Sequence, residues 1–338
     1  MKKLFYFVLF LTIVSSCKKS TESATGIQKA LITSSSGSIR YKNEIFTEAQ
    51  VKVTKDIIYR NLVDYAAGDQ IKGTLKFNFY EPINDLVSIR PLIIYMHGGG
   101  WQGGSKDDIG IDSACRIYAM HHGFAVVALN YRLDPTLSAK KSAGTLTLKN
   151  QAEALYRATQ DARFAIRFIK KNAIIGKIDT NKIFIGGGSA GALNALHATY
   201  LDDNEVKPYV INQSALGKLD YGGESFNSSS RVRAAFAVAG ALIDTNWVQL
   251  GNPPSACVHS TGDNLIPIDF GLEGWETLYV YGGRSINKRL KNLGIPTSYK
   301  QYNDPITPRP PLPGGMWTHG ASINSDIQFF CDFIYTLL

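Results

Sequence analysis

Two runs in the first half of the chain, Pro91–Met96 and Phe124–Asn130, are apolar almost from end to end instead of alternating with polar residues. A strand carries such a run when both its faces are covered, as in a parallel sheet sandwiched between helices. The flanking patterns agree. Val51–Tyr59 and Gly73–Tyr80 alternate, as half-exposed strands of a first hairpin do. Ile109–His122 reads as a helix between the two apolar runs. Gln151–Lys171 is a long amphipathic stretch with Leu155, Ala158, Ala162, Ala165, Ile166 and Ile169 near helical spacing. Then follow a strand at Lys182–Gly186, a helix from about Ala190, and strands near Ala234–Ala239 and Ala256–Ser260. A helix over Ser285–Leu293, a strand at Thr297–Tyr302 and a last helix over Ala321–Leu338 complete the series. This alternation predicts an α/β fold, a mostly parallel sheet flanked by helices on both faces. Nothing after residue 50 has linker-like composition, so one catalytic-sized domain, residues 46–338, is expected. With 44% hydrophobic residues in 338, the chain can bury such a core, and the absence of a fixed internal repeat argues against solenoids and propellers.

The N-terminus reads as an address. Met1-Lys2-Lys3 precedes an apolar run from Leu4 to Val14, eleven residues against the roughly 20 a membrane-spanning helix needs. It fits the hydrophobic stretch of a secretory signal. Val14-Ser15-Ser16-Cys17 resembles a bacterial lipoprotein cleavage box, so residues 1–16 are expected to be a signal peptide and Cys17 the lipidated first residue. Residues 17–45, with a Ser-, Thr- and Lys-rich stretch at 18–38, read as a flexible spacer. Localisation is then expected in the cell envelope. Three further cysteines, Cys115, Cys257 and Cys331, have no metal-ligand spacing and read as buried thiols, with a Cys257–Cys331 bridge as the alternative. The formal charge of +8 is spread along the chain without a basic run longer than a pair such as Lys170-Lys171. A nucleic-acid partner is therefore not expected.

Two glycine-rich motifs carry the chemistry. Gly187-Gly188-Ser189-Ala190-Gly191 has the G-x-S-x-G form and lies between a strand and a helix. A sharp strand-to-helix turn exposes a serine hydroxyl, and close approach of neighbouring chain leaves no room for side chains at the flanking glycines. A phosphate-binding loop would need a Gly-Lys-Ser/Thr ending or a G-x-G-x-x-G pattern, which are missing here. Ser189 is therefore the candidate nucleophile. His97-Gly98-Gly99-Gly100-Trp101 follows the apolar strand directly, so its backbone N–H groups can point into a cavity and stabilise charge on an acyl oxygen.

With these motifs the chain resembles the α/β-hydrolase esterases of the hormone-sensitive-lipase and feruloyl/acetyl-xylan-esterase type. The likeness runs from about Gly73 to the C-terminus. It rests on His97–Trp101, Asn130-Tyr131-Arg132-Leu133, Gln160-Asp161-Ala162-Arg163, Gly187–Gly191, His259–Pro267 and His319-Gly320. The resemblance implies an α/β-hydrolase fold with an eight-stranded sheet, and a Ser-Asp-His triad in that chain order. It implies no metal or cofactor, and oxyanion donors at the backbone N–H of Gly99, Gly100 and Ala190.

Elimination among the six histidines gives the same base. His97 sits in the glycine loop and is expected to brace it; His121 and His122 precede the nucleophile between a helix and a strand. His197 lies eight residues along the helix from Ser189, about 12 Å away. His259 ends a strand just before the candidate acid. His319 alone follows both Ser189 and that acid. Asp263, after a strand and a Thr-Gly turn, is the candidate acid, with Asp244 its competitor. Arg132 and Asp161 read as a structural pair. Of Trp101, Trp247, Trp275 and Trp317, core packing is an equal reading for each except Trp101 and Trp317, which adjoin catalytic candidates and are the expected substrate contacts. The loops 212–230 and 304–315, the second with five prolines, are expected over the open end of the sheet, deciding specificity. The reading is a carboxylic ester hydrolase acting on small-molecule or polysaccharide esters, touching a membrane only through its lipid anchor. Rival readings are a peptidase on the same fold and an inactive binding lipoprotein.

Overall fold

A computed structural model gives the fold for residues 40–43, 45–173, 177–207, 210–304, 319 and 323–338. The main sheet contains β1 (Val51–Arg60), β2 (Leu75–Pro82), β3 (Arg90–Met96), β4 (Ala125–Leu129), β5 (Ile178–Gly188), β6 (Ala234–Val238), β8 (Ser255–Ser260) and β11 (Thr297–Tyr302). Its spatial order is β1-β2-β4-β3-β5-β6-β8-β11. β1 pairs antiparallel with β2 and β2 with β4; every other pairing is parallel. A second, three-stranded antiparallel sheet, β7 (Ala241–Leu242), β10 (Tyr279–Gly282) and β9 (Phe270–Leu272), has no counterpart in the sequence reading, because strands of two to four residues carry too little periodicity.

The helices are α1 (Ile109–His122), α2 (Leu137–Ser142), α3 (Leu148–Lys171), α4 (Ala190–Tyr200), α5 (Gln213–Leu216), α6 (Gly283–Asn292) and α7 (Ile323–Tyr335). The apolar runs are explained by the strand's two-residue period. Leu92, Ile94 and Met96 of β3 enter the core shared with α3, α4 and α6, whereas Ile93 and Tyr95 enter the opposite core with α1 and α7. Each such buried side chain contributes about 1.5–3 kcal/mol relative to exposure. α3 starts three residues before the expected Gln151, because Thr147 accepts a hydrogen bond from the Asn150 amide and caps the helix. α1 stops at Gly123, whose φ of +74° continues the chain in a left-handed turn.

The two motifs around Arg132 and Asp161 are structural. Asp161, fully buried, accepts from the Arg132 amide (2.8 Å), its Nε (2.9 Å) and Arg60 Nη1 (2.6 Å). Arg132 also reaches Asp69 and Gln160, so the loop after β4 is bolted to α3. Leaving one partner of such a buried pair uncompensated costs about 3–5 kcal/mol.

Two expectations are corrected. Arg40 and Tyr41, on the spacer side of the boundary at residue 46, are docked. Arg40 pairs with Asp85, Tyr41 donates its N–H to the His122 carbonyl (3.0 Å), and its ring lies 4.9 Å from that of Phe124. These groups satisfy the end of α1, which a polar-composition reading cannot detect. Residues 212–230 do not cover the catalytic end. They pack on α3, where Gln160 donates to the carbonyls of Leu216 and Lys218 and Tyr156 to that of Gly217. Cys115, Cys257 and Cys331 are buried free thiols; Cys257 and Cys331 lie in different cores, on opposite faces of the sheet, which rules out the bridge. Among the described residues no helix is long and apolar enough to cross a membrane.

Candidate active site

Ser189 sits between β5 and α4 with φ +54° and ψ −126°, a conformation that costs an L-residue about 1–3 kcal/mol. Its backbone is held from both sides: the N–H donates to the Val238 carbonyl (2.9 Å) and the carbonyl accepts from Leu193 (3.0 Å). The flanking glycines are a steric necessity. A Cβ at Gly187 would stand 2.3 Å from the Met96 carbonyl oxygen, and one at Gly191 only 2.2 Å from the same atom. The elbow is thus wedged against the end of β3, and the hydroxyl is turned into a cavity of about 640 Å³.

The loop after β3 forms another wall. Gly99 (φ +110°) and Gly100 (φ +60°) line the cavity with Ala190, whose amide begins α4 and has no partner within that helix. His97 braces this loop as expected. Its Nδ1 donates to the Gly98 carbonyl (2.7 Å), its ring stacks 4.3 Å from Tyr131, and burial lowers its pKa. Trp101 borders the cavity but is 3% exposed, and its indole N–H is committed to Asn194 of α4 at 2.8 Å. It fastens the glycine loop to the helix of Ser189.

His319 lines the same cavity as Ser189, and its Nδ1 donates to Asp263 Oδ2 at 2.7 Å. Asp263 is buried beyond the end of β8. Its Oδ1 accepts the amides of Leu265 and Ile266, each at 2.9 Å, and Oδ2 also faces His259 Nε2 at 3.4 Å. Burial alone would raise its pKa; the nearby His259 N–H and the hydrogen bonds from His319 and the Ile266 amide outweigh it and hold the carboxyl well below the usual range. The turn is pinned to the chain leading toward His319, since Ser260 donates to Asp304 Oδ2 (2.6 Å) and Thr261 to the Asp304 carbonyl (2.9 Å). Asp244, the competitor, caps a short turn by accepting from the Asn246 amide. His197 is buried on Leu193 and Trp247, with a pKa lowered to about 4 by desolvation. Cys17, Trp317 and nearly all of the proline-rich loop lie outside the described residues.

The cavity wall that sequence reasoning left undecided is Trp275. It lies between β9 and β10, and a Cβ on Gly100 would stand 3.0 Å from its ring. Glu273, 2% exposed, organises this loop by accepting the amides of Trp275 (2.7 Å), Thr277 (3.1 Å) and Leu278 (3.2 Å). Lys141 of α2 closes the frame, donating to the Gly274 carbonyl (2.8 Å) with its ammonium 5.3 Å from the indole centroid. No local pattern marks Trp275, because its place depends on the small sheet. Among the described residues no group of three or more His, Cys, Asp or Glu could hold a metal ion.

Sheet order, the strained serine after β5 and the Asp–His pair beyond β8 and β11 define the α/β-hydrolase fold. A family model described as BD-FAE matches residues 77–241. The structure is similar to that of Thermogutta terrifontis esterase 2 phosphoramylated by tabun, with a TM-score of 0.56 at 19% identity, covering 85% of this chain and 94% of that one. It is also similar to a truncated carbohydrate esterase from gut microbiota, with a TM-score of 0.54 at 17% identity, covering 86% and 99%. In sequence, 3-O-acetylpapaveroxine carboxylesterase CXE1 of Papaver somniferum is 29% identical over 170 residues, 46% of this chain and 48% of that protein. The chain spans less than half the length of the curated relatives it matches.

Proposed function

We propose that this protein is a serine hydrolase that cleaves carboxylic esters through an acyl-enzyme, with Ser189, His319 and Asp263 as its triad. The observation that carries the reading is the 2.7 Å bond from His319 Nδ1 to a buried carboxylate, made by a ring that shares its cavity with a strained serine. Donation from Nδ1 leaves Nε2 to take the Ser189 proton as Oγ attacks the ester carbonyl. The tetrahedral oxyanion is received by the N–H groups of Gly99, Gly100 and Ala190, the last with the positive end of α4 behind it. Collapse passes the proton from His319 to the leaving alcohol, and water repeats the sequence to release the acid. Among the described residues none hydrogen-bonds the Ser189 hydroxyl, and catalytic bonds of this kind commonly tighten only with substrate bound.

Substrates in this reading are short acyl esters or ester decorations of polysaccharides. The BD-FAE match supports ester hydrolysis, and the fold shared with a carbohydrate esterase supports the second class. Residues 1–16 are read as a lipoprotein signal peptide and Cys17 as the lipidated first residue, which radiolabelled palmitate on wild type but not on Cys17→Ala would test. The decisive experiment is p-nitrophenol release from acetyl, butyryl and octanoyl esters by the chain from Lys18 onward beside Ser189→Ala. Turnover by wild type and a fall of at least ~1,000-fold in the variant are expected. Equal inertness of both would sink the reading and bring forward an amidase or a binding lipoprotein.

A further inference from the structure

The carboxylate of Asp263 is contacted by a second imidazole. His259, the penultimate residue of β8, is buried with no exposed side-chain surface. Its Nδ1 accepts the backbone N–H of Gly283 at 3.2 Å. An amide nitrogen can only donate, so Nδ1 carries no proton and the ring proton resides on Nε2. That Nε2–H donates to the Ile266 carbonyl at 3.0 Å and lies 3.4 Å from Asp263 Oδ2, the oxygen that accepts from His319. Gly283 is the first residue of α6, so the tautomer is dictated by an amide at a helix start. The approach is close: a Cβ at Gly283 would stand 3.1 Å from His259 Nδ1 and 3.0 Å from Cys257 Cβ.

We infer that His259 is a positioning residue for the ester hydrolysis: its Nε2–H, set by the Gly283 amide and bonded to the Ile266 carbonyl, stands beside Asp263 Oδ2 and keeps that oxygen electrostatically in the orientation that receives His319. The inference rests on the ester-hydrolase reading. A carboxylate tied only through Oδ1 could swing about its Cβ–Cγ bond; with the two amides on Oδ1 and the positive edge of His259 beside Oδ2, the carboxylate is biased to the direction that meets His319. The donor also takes up part of the charge on Oδ2, which moderates how strongly Asp263 holds a proton on His319. Other ionisable groups around His259 are otherwise engaged. Asp269 is paired with Arg284 (2.9 Å), the Cys257 thiol is pushed up to about 12 by burial, and the Tyr299 hydroxyl on β11 is raised by burial as well.

The test compares His259→Asn with His259→Gln in the chain from Lys18 onward. The Asn oxygen falls near the place of Nδ1 and still accepts from Gly283, but no N–H of residue 259 then stands beside Oδ2 or bonds the Ile266 carbonyl. The Gln amide reaches the place of Nε2 and restores a donor. In His259→Asn, kcat/KM for p-nitrophenyl butyrate should fall about tenfold, through kcat and not KM. The acid limb of its pH profile should move upward, because a carboxylate stripped of a donor stabilises the His319 imidazolium more strongly. His259→Gln should bring both back toward wild type. An unmoved limb in His259→Asn, or a Gln variant as impaired as the Asn variant, overturns the inference. Ring 15N shifts of the wild-type protein judge it without any variant: an Nε2–H tautomer at His259 is expected, and an Nδ1–H tautomer overturns it. Equal inertness of wild type and Ser189→Ala instead removes the hydrolase reading itself, a result distinct from an active enzyme whose profile ignores His259.

Discussion

Ser189 and Asp263 stand in opposite kinds of stress, one conformational and one electrostatic. Ser189 spends backbone energy to present its hydroxyl, whereas Asp263 gives up solvation and recovers it from amides and imidazoles. Asp263→Asn keeps the size of the side chain but offers His319 an amide in place of a charge. It should lower kcat about 10,000-fold with little change in KM, as measured on p-nitrophenyl butyrate. The same carboxyl makes a stability prediction. Its folded pKa lies below its unfolded value near 3.9, so the stabilisation it supplies is complete above about pH 4 and is lost as pH falls toward the lower folded value. Urea unfolding between pH 6 and 3 should show wild type losing stability more steeply below about pH 4 than Asp263→Asn; parallel curves would contradict the assigned charge. Ser189, His319 and Asp263 were legible because motif, chain order and turn context converge on them. His259 was not: its role depends on the amide of Gly283, 24 residues later, which no spacing rule connects to it.

At the scale of elements, the seat of the elbow against the end of β3 makes Gly191 intolerant of a methyl group. Gly191→Ala should destabilise the protein by about 3 kcal/mol, seen as a drop in Tm, although alanine is the better helix former and Gly191 lies in the first turn of α4. A Tm that rises would refute the wedge. The long helices and the two-sided strands could be read from sequence because period and burial coincide over many residues, as in α3 and β3. The small sheet and the α2 segment could not, since their strands and helix are short and their order comes from Glu273, Lys141 and Trp275 acting across the chain. That frame is expected to shape substrate preference. Trp275→Ala should raise KM several-fold for octanoyl esters and change kcat for acetyl esters by less than about twofold, a split that steady-state kinetics across the three chain lengths would reveal.

Over the described residues, the sheet separates two hydrophobic cores, one on each face. Cys257 lies in one and Cys331 and Cys115 in the other; burial raises all three thiols, that of Cys257 to about 12. None should react with a thiol reagent while the chain is folded, and all three should react together on unfolding in guanidinium; stepwise release would show that the two cores unfold separately. One geometrical consequence follows from how the chain enters this domain. Tyr41 and Phe46 are hydrogen-bonded to the carbonyls of His122 and Met120, at the C-terminal end of α1 and just before β4 begins. The cavity lies past the opposite ends of the strands, after β3 and β5. The strand axes therefore separate the port of entry from the mouth. A fusion partner, an affinity tag or a bead coupled ahead of Arg40 would meet the domain at the far pole, leaving the way open for a bulky polymer to approach Ser189.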